Sequence, residues 1–309
     1  MSSTSLLQQL VSRTVKLGDR LHLNREQSYD ALDTQILPQI QQAGTGDQEE
    51  LQGHARQVLL DLTKVLFNST RWEDRLAAIN GSILLIKYFY PAQVGPEKPL
   101  VDSALKDYVW NTIRIEKIGP LLIDSEFRVR NEVGRLLREM ILKDQDKGAK
   151  HFESLRDRVL QNIEETFERE PEGGVDASAD ISKVTKTINV DETGKTKHDT
   201  EGWKSLETSM RILQNIVEAM GSRLYDFDLD RVLNCIKKGV DHINRFVREI
   251  SYFLINAVFL ASASIFSDQI GQQTDPKHEA AFRKFCKELV PIVAQGLADN
   301  WSQVRYAAS

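Results

Sequence analysis

The chain is short of several things that would announce a chemistry. It has two cysteines, Cys235 and Cys286, far apart and outside any CxxC or Cys/His ligand spacing. That excludes a disulfide framework and a zinc-finger arrangement, and it points to reduced structural thiols in an intracellular protein. The six histidines at 22, 54, 151, 198, 242 and 278 form no HxxxH pair, so no metal site is expected. There is no excess of basic residues: 40 Lys and Arg stand against 45 Asp and Glu, for a net charge of −5. Nucleic acid, whose affinity comes mainly from cations that neutralise phosphates, is therefore a disfavoured partner.

Catalytic signatures are missing as well. No GxSxG and no Cys/His nucleophile pair occurs, and the only phosphate-loop-like string, ETGKT at 192–196, has Asn189 where the first glycine of such a loop must stand. Accordingly no catalytic, cofactor-binding or metal-ligating residue is assigned, no cofactor is expected, no small-molecule substrate is evident, and the chain is read as not an enzyme. The N-terminus lacks the apolar core of a signal peptide. One stretch, 250–267, has no charge across its length, but it carries Ser251, Tyr252, Asn256 and further serines. It reads as a helix buried on most sides, and no membrane span is expected.

What the chain does have is a recurring turn. NSTRWEDRLAAI (68–79), IDSEFRVRNEVG (123–134), DHINRFVREISY (241–252) and DNWSQVRYAAS (299–309) share one layout. Asp or Asn opens a turn, an aromatic residue follows (Trp72, Phe127, Phe246, Trp301), and then an Arg enters an apolar-patterned helix (Arg75, Arg130, Arg248, Arg305). Those arginines are separated by steps of 55, 118 and 57 residues. Between the turns the apolar period is helical. One stripe holds Ala55, Val58, Leu59, Leu62, Val65 and Leu66; another holds Val129, Val133, Leu136, Leu137, Met140 and Ile141, with Arg128, Arg130 and Arg135 on the opposite face. A third runs through Leu206, Met210, Leu213, Val217 and Met220. Residues 6–44 read as one helical stretch with a kink or break at Pro38, and 105–123 as a helix interrupted at Gly119-Pro120.

These strings resemble HEAT repeats, in which an Asp in the turn and an Arg six residues on recur from unit to unit. Asp124 to Arg130 and Asp299 to Arg305 have that spacing, Asp241 to Arg248 has seven, and the first copy has Ser69 in place of Asp. The resemblance implies an all-α, α-α superhelix, a right-handed HEAT- or ARM-like solenoid of about five to six helical pairs over 1–309. Asp would cap the second helix, while the Arg would reach a carboxylate or carbonyl of the neighbouring repeat. The tryptophans at 72, 203 and 301 would fill the wedge between stacked pairs. Residues 168–201, rich in charge, Gly, Ser and Thr, read as a flexible insertion whose Ser178, Ser182, Thr185, Thr187, Thr193, Thr196 and Thr200 are open to phosphorylation. Only seven residues follow Ser302, so the chain is expected to end inside a repeat. The expected work is binding other proteins over an extended concave surface, as an adaptor or a subunit of a larger complex, cytoplasmic or also nuclear. The alternative is a nucleic-acid-binding repeat protein.

Overall fold

Helical periodicity is what the coordinates realise. The computed structural model describes residues 3–42, 48–93, 100–144, 146–147, 159–161, 163–164, 189–190, 196–197, 201–226, 229–242, 244–267 and 276–309. They fall into two compact units, Met1–Gly148 and Ala149–Ser309. Both are all-α and built, solenoid-fashion, from helices paired through short turns.

In the first unit α1 (Ser3–Lys16) turns into α2 (His22–Ala31), which runs through a π-helical segment (Leu32–Ile36) into α3 (Leu37–Gln42). Then come α4 (Gln48–Phe67), α5 (Trp72–Phe89), α6 (Ser103–Asp107), a second π-helical segment (Tyr108–Lys117), α7 (Ile118–Leu122) and α8 (Phe127–Lys143). Residues 6–44, expected to be one helical stretch, are thus already a pair, broken at 17–21.

Neither proline breaks its helix. Each lacks the N–H that would bond the carbonyl four residues back, and its ring would strike that carbonyl. For Pro38 that carbonyl belongs to Thr34, and for Pro120 to Glu116; both lie inside the π-helical segments, where the turn widens. The Leu37 N–H reaches Leu32 O and the Ile118 N–H reaches Ile113 O, each five residues back. One wide turn absorbs the proline and the helix continues.

α5 is the centre of this unit and packs against α1, α4 and α8. Every residue from Leu76 to Ile86 is buried. Small side chains make that possible: a Cβ on Gly81 would lie 2.9 Å from the γ-methyl of Thr63 on α4. The α4 stripe is phased differently from expectation. Leu51, Ala55, Leu59 and Leu60 face inward with Thr63, whereas Val65 is 71% exposed. Thr63 is tolerated inside because its hydroxyl donates to Leu60 O (3.0 Å) and accepts from the Tyr108 hydroxyl (2.8 Å). Deeper in the unit the Trp110 indole N–H donates to the Tyr90 hydroxyl (3.1 Å), which donates to Asp144 Oδ2 (3.1 Å).

In the second unit α9 (Glu201–Met220) ends in a 3-10 turn (Gly221–Asp226), followed by α10 (Asp230–Val240), α11 (Arg245–Ser267), α12 (Pro276–Gly296) and α13 (Ser302–Ala308). The expected α9 stripe of Leu206, Met210, Leu213, Val217 and Met220 is buried throughout. α11 is the centre here, against α9, α10 and α13. It buries Ile250, Ser251, Tyr252, Leu254, Ile255, Ala257, Val258 and Ala261 and exposes Leu260. No helix among the described residues is long and apolar enough to cross a membrane. Of the expected insertion at 168–201, only a two-residue antiparallel ladder, Asn189–Val190 with Thr196–Lys197, and the first residue of α9 are described; the rest lies outside the described residues.

Candidate functional site

The recurring turn is a joint with two halves. In the first, the leading residue bonds the N–H two positions on: Asp19 Oδ1 accepts from Leu21 (2.9 Å), Ser69 Oγ from Arg71 (3.2 Å), Asp124 Oδ1 from Glu126 (2.9 Å) and Asp299 Oδ1 from Trp301 (2.8 Å). In the copy at 241–252 His242 Nδ1 accepts from the Asn244 N–H (2.9 Å), and Asn244 Oδ1 in turn accepts from Phe246 (2.9 Å). In the Asp19, Ser69, Asp124 and Asp299 copies the acceptor tightens the turn ahead of the helix and does not cap its first N–H groups, a correction to the capping role expected from sequence. The Arg then folds back on its own turn. Nη1 of Arg25, Arg130 and Arg305 donates to the carbonyls of Asp19 (2.6 Å), Asp124 (2.6 Å) and Asp299 (2.7 Å), and Nη1 of Arg75 and Arg248 to those of Thr70 (2.7 Å) and His242 (3.0 Å).

The second half crosses to the next repeat. Arg75 Nε and Nη2 grip both oxygens of Asp124 at 2.7 and 3.0 Å, and Arg248 Nε and Nη2 grip Asp299 at 2.8 and 3.2 Å. Burial pushes the Asp299 carboxyl up, but the hydrogen bonds from Arg248 and from the Trp301 amide outweigh it and hold the pKa below the ordinary value. Two arginines of the series therefore fasten repeats together within a unit. Arg130, placed on the polar face by its sequence phase, is 8% exposed.

Sequence reasoning missed the copy at Asp19 and Arg25, which has the spacing of six but no aromatic residue between. It is also the odd one. The position matching Asp124 and Asp299 in the following repeat is Ser69, whose Oγ donates to Asp74 Oδ2 (2.7 Å). The bridge between repeats is made instead by Arg20 Nε on Glu73 Oε1 (2.6 Å). Nε and Nη2 of Arg25 have no hydrogen-bond partner among the described residues, and the side chain lines a groove.

The turn aromatics do not fill a wedge in the interior. Trp72 is half-buried, Phe127 is 51% and Trp301 46% exposed, and the side chain of Trp203 lies outside the described residues. Among the described residues the tryptophan that fills the interior is Trp110, 1% exposed. At the turn tips arginines lie over the rings. The Arg128 guanidinium sits 5.1 Å from the Trp72 ring centre and 5.0 Å from that of Phe127. Arg245 sits 4.1 Å from Trp301 and 4.7 Å from Phe246. Among the described residues, then, each unit carries an exposed aromatic–arginine clasp joining neighbouring repeats.

The clasp of the first unit borders a groove of about 490 Å3 between α2, α5 and α8. Its floor is Leu76 and Asn80, and its walls carry Arg25, Tyr29, Phe127, Arg128, Asn131 and Arg135 among others. Two of the acids at its edge have partners close by: Glu132 accepts from Arg135 (2.7 Å), and Glu26 lies 3.2 Å from His22. Arg135 stacks over Tyr29 at 5.3 Å. Burial raises the Tyr29 phenol to about 12. Burial also lowers the Arg25 pKa, and the neighbouring positive charge of Arg128 lowers it further, with Glu132 offsetting part of this. Among the described residues no three His, Cys, Asp or Glu converge as a metal ion would require.

A joint of this kind, repeated through stacked helix pairs, defines an α-helical repeat protein. No family model matches the chain, and none of the curated proteins does. Two solved structures are similar over most of its length. One is an engineered protein, 12% identical, with a TM-score of 0.43 over 97% of this chain and 93% of that one. The other is a designed armadillo repeat protein, also 12% identical at a TM-score of 0.43, covering 97% of this chain and 96% of its own. At those values neither likeness bears on function.

Proposed function

We propose that this chain is an intracellular adaptor that binds other proteins, by itself or as a subunit of a larger complex, in the cytoplasm or nucleus, and that it catalyses no reaction. The observation that carries this reading is the pair of exposed aromatic–arginine clasps, one per unit, the first opening onto the groove. Trp, Tyr and Arg are the residues most enriched where protein partners bind tightly: Trp buries a large area at low cost in side-chain freedom, and Arg supplies directed donors. The 168–201 segment, with its serines and threonines, is the natural place for phosphorylation to alter that binding.

The test is affinity purification of the full chain from cell extract, with and without nuclease, beside a Trp72→Ala, Trp301→Ala double variant. A protein partner recovered despite nuclease and lost with the double variant is expected. Recovery that disappears on nuclease treatment would replace this reading with the nucleic-acid one.

A further inference from the structure

We propose that the groove between α2, α5 and α8 grips the carboxylate of an Asp or Glu side chain on a partner peptide, with Arg25 and Arg128 as its donors. This rests on the protein-binding reading above and names the chemistry of the partner.

The protein itself shows what its recurring arginine takes. Arg75 and Arg248 use Nη1 on their own turn and close the Nε/Nη2 fork on a carboxylate of the next repeat, two bonds to two oxygens. Arg25 makes the same Nη1 bonds, to Asp19 O and Arg20 O. Its fork finds no Asp, because the chain has Ser69 at that place and links the repeats through Arg20 and Glu73 instead. The joint is satisfied without Arg25, so the fork is left without a carboxylate, and the Arg25 side chain lines the groove.

A second guanidinium shares that groove. Arg128 is held in position by the rings of Trp72 and Phe127 and by one bond from Nη1 to Glu126 Oε1 (3.1 Å), which leaves Nε and Nη2 with no hydrogen-bond partner among the described residues. Asn131, one helical turn further along α8, lines the same groove, and its side-chain amide has no hydrogen-bond partner among the described residues. Two arginines set near one another repel unless an anion comes between them.

The size of that anion's charge follows from the rest of the lining. Arg25, Arg128 and Arg135 are balanced by Glu26, Asp30 and Glu132. The lining therefore has no net positive charge, and an anion is held here by the directed donors of the two forks; a single negative charge meets less repulsion from the acids than a phosphate dianion would. A fork-shaped donor and a monoanion together specify a carboxylate.

The experiment selects random peptides from a display library on the full chain, then measures the best peptide by fluorescence anisotropy. The selected sequences should share an Asp or Glu. Affinity should fall tenfold or more for Arg25→Ala and for Arg128→Ala, fall partly for Arg25→Lys, and stay unchanged for Arg283→Ala, an exposed arginine of the second unit. Replacing the peptide's acid by its amide should cost the same tenfold on the wild-type protein, which keeps the test decisive if a variant folds poorly. Peptides without a shared acid, acidic peptides indifferent to both substitutions, or competition by inorganic phosphate would each overturn the carboxylate assignment while leaving the adaptor reading intact. Failure to select any peptide would overturn it too, and recovery of a protein partner from extract would then decide the adaptor reading separately.

Discussion

Cutting the Arg75–Asp124 joint should loosen two helices that are far apart in sequence. The Arg75 side chain is 19% and the Asp124 side chain 6% exposed, and two charge-assisted bonds join them at 2.7 and 3.0 Å. Breaking a buried pair from one side costs about 3–5 kcal/mol, because the remaining charge stays out of water. Here the edge of the arginine reaches solvent, and Asp124 keeps the Glu126 N–H, so Arg75→Ala should cost about 2–4 kcal/mol. Asp124→Ala should cost a similar amount, since it removes the turn bond as well.

The decisive quantity is the coupling. If the carboxylate matters to Arg75 mainly through this fork, the double variant should be little worse than either single one, with an interaction energy of about 1.5–3 kcal/mol. Urea unfolding of the full chain, read by circular dichroism, gives the totals, and hydrogen exchange over 72–89 and 127–143 shows where the protection is lost. Arg305→Ala is the comparison. Among the described residues that guanidinium makes one hydrogen bond, to Asp299 O at 2.7 Å, and its loss should cost less than about 1 kcal/mol. Losses that add to within about 0.5 kcal/mol, or an Arg305→Ala cost as large as that of Arg75→Ala, would refute the joint as a coupling device.

Four other substitutions test the packing and electrostatics. Gly18→Ala would bring its Cβ within 1.7 Å of the Glu73 carbonyl oxygen, so thermal melting should drop sharply; Gly53→Ala, with nothing within 4 Å, should gain about 0.5–1 kcal/mol from helix propensity. Tyr90→Phe removes the hydroxyl between Trp110 and Asp144 and leaves a buried carboxylate oxygen without that donor, for a loss of about 1–3 kcal/mol in chemical denaturation. The lowered pKa of Asp299 means its contribution is full above the ordinary 3.8 and disappears as pH falls through the folded value, so acid titration of Asp299→Asn by circular dichroism should show a shallower loss of stability below pH 3.8 than the parent.

How far the sequence could carry these conclusions depended on the distance between the residues concerned. The stripe through Leu206 and Met220 lies within one helix, and its period alone predicts the buried face. The α4 stripe fails at Val65 and Thr63 for a reason no window on that helix contains: the partner that lets a threonine be buried is Tyr108, 45 positions away. Pro38 and Pro120 mark where the regular helix is disturbed but not the form the disturbance takes, since a missing donor can be absorbed by a wide turn as well as by a break. The Asp-to-Arg spacing announces the joint, but which carboxylate closes the fork is a relation between repeats. Ser69 looks in sequence like an imperfect copy of the motif. In the folded unit it is the substitution that frees Arg25 from its joint, and it does so where α2 and α8, separated by most of the unit's length, bring a second guanidinium alongside. The departure at Ser69 therefore sets Arg25 apart from Arg75 and Arg248, whose forks are already closed on Asp124 and Asp299 to hold their repeats together.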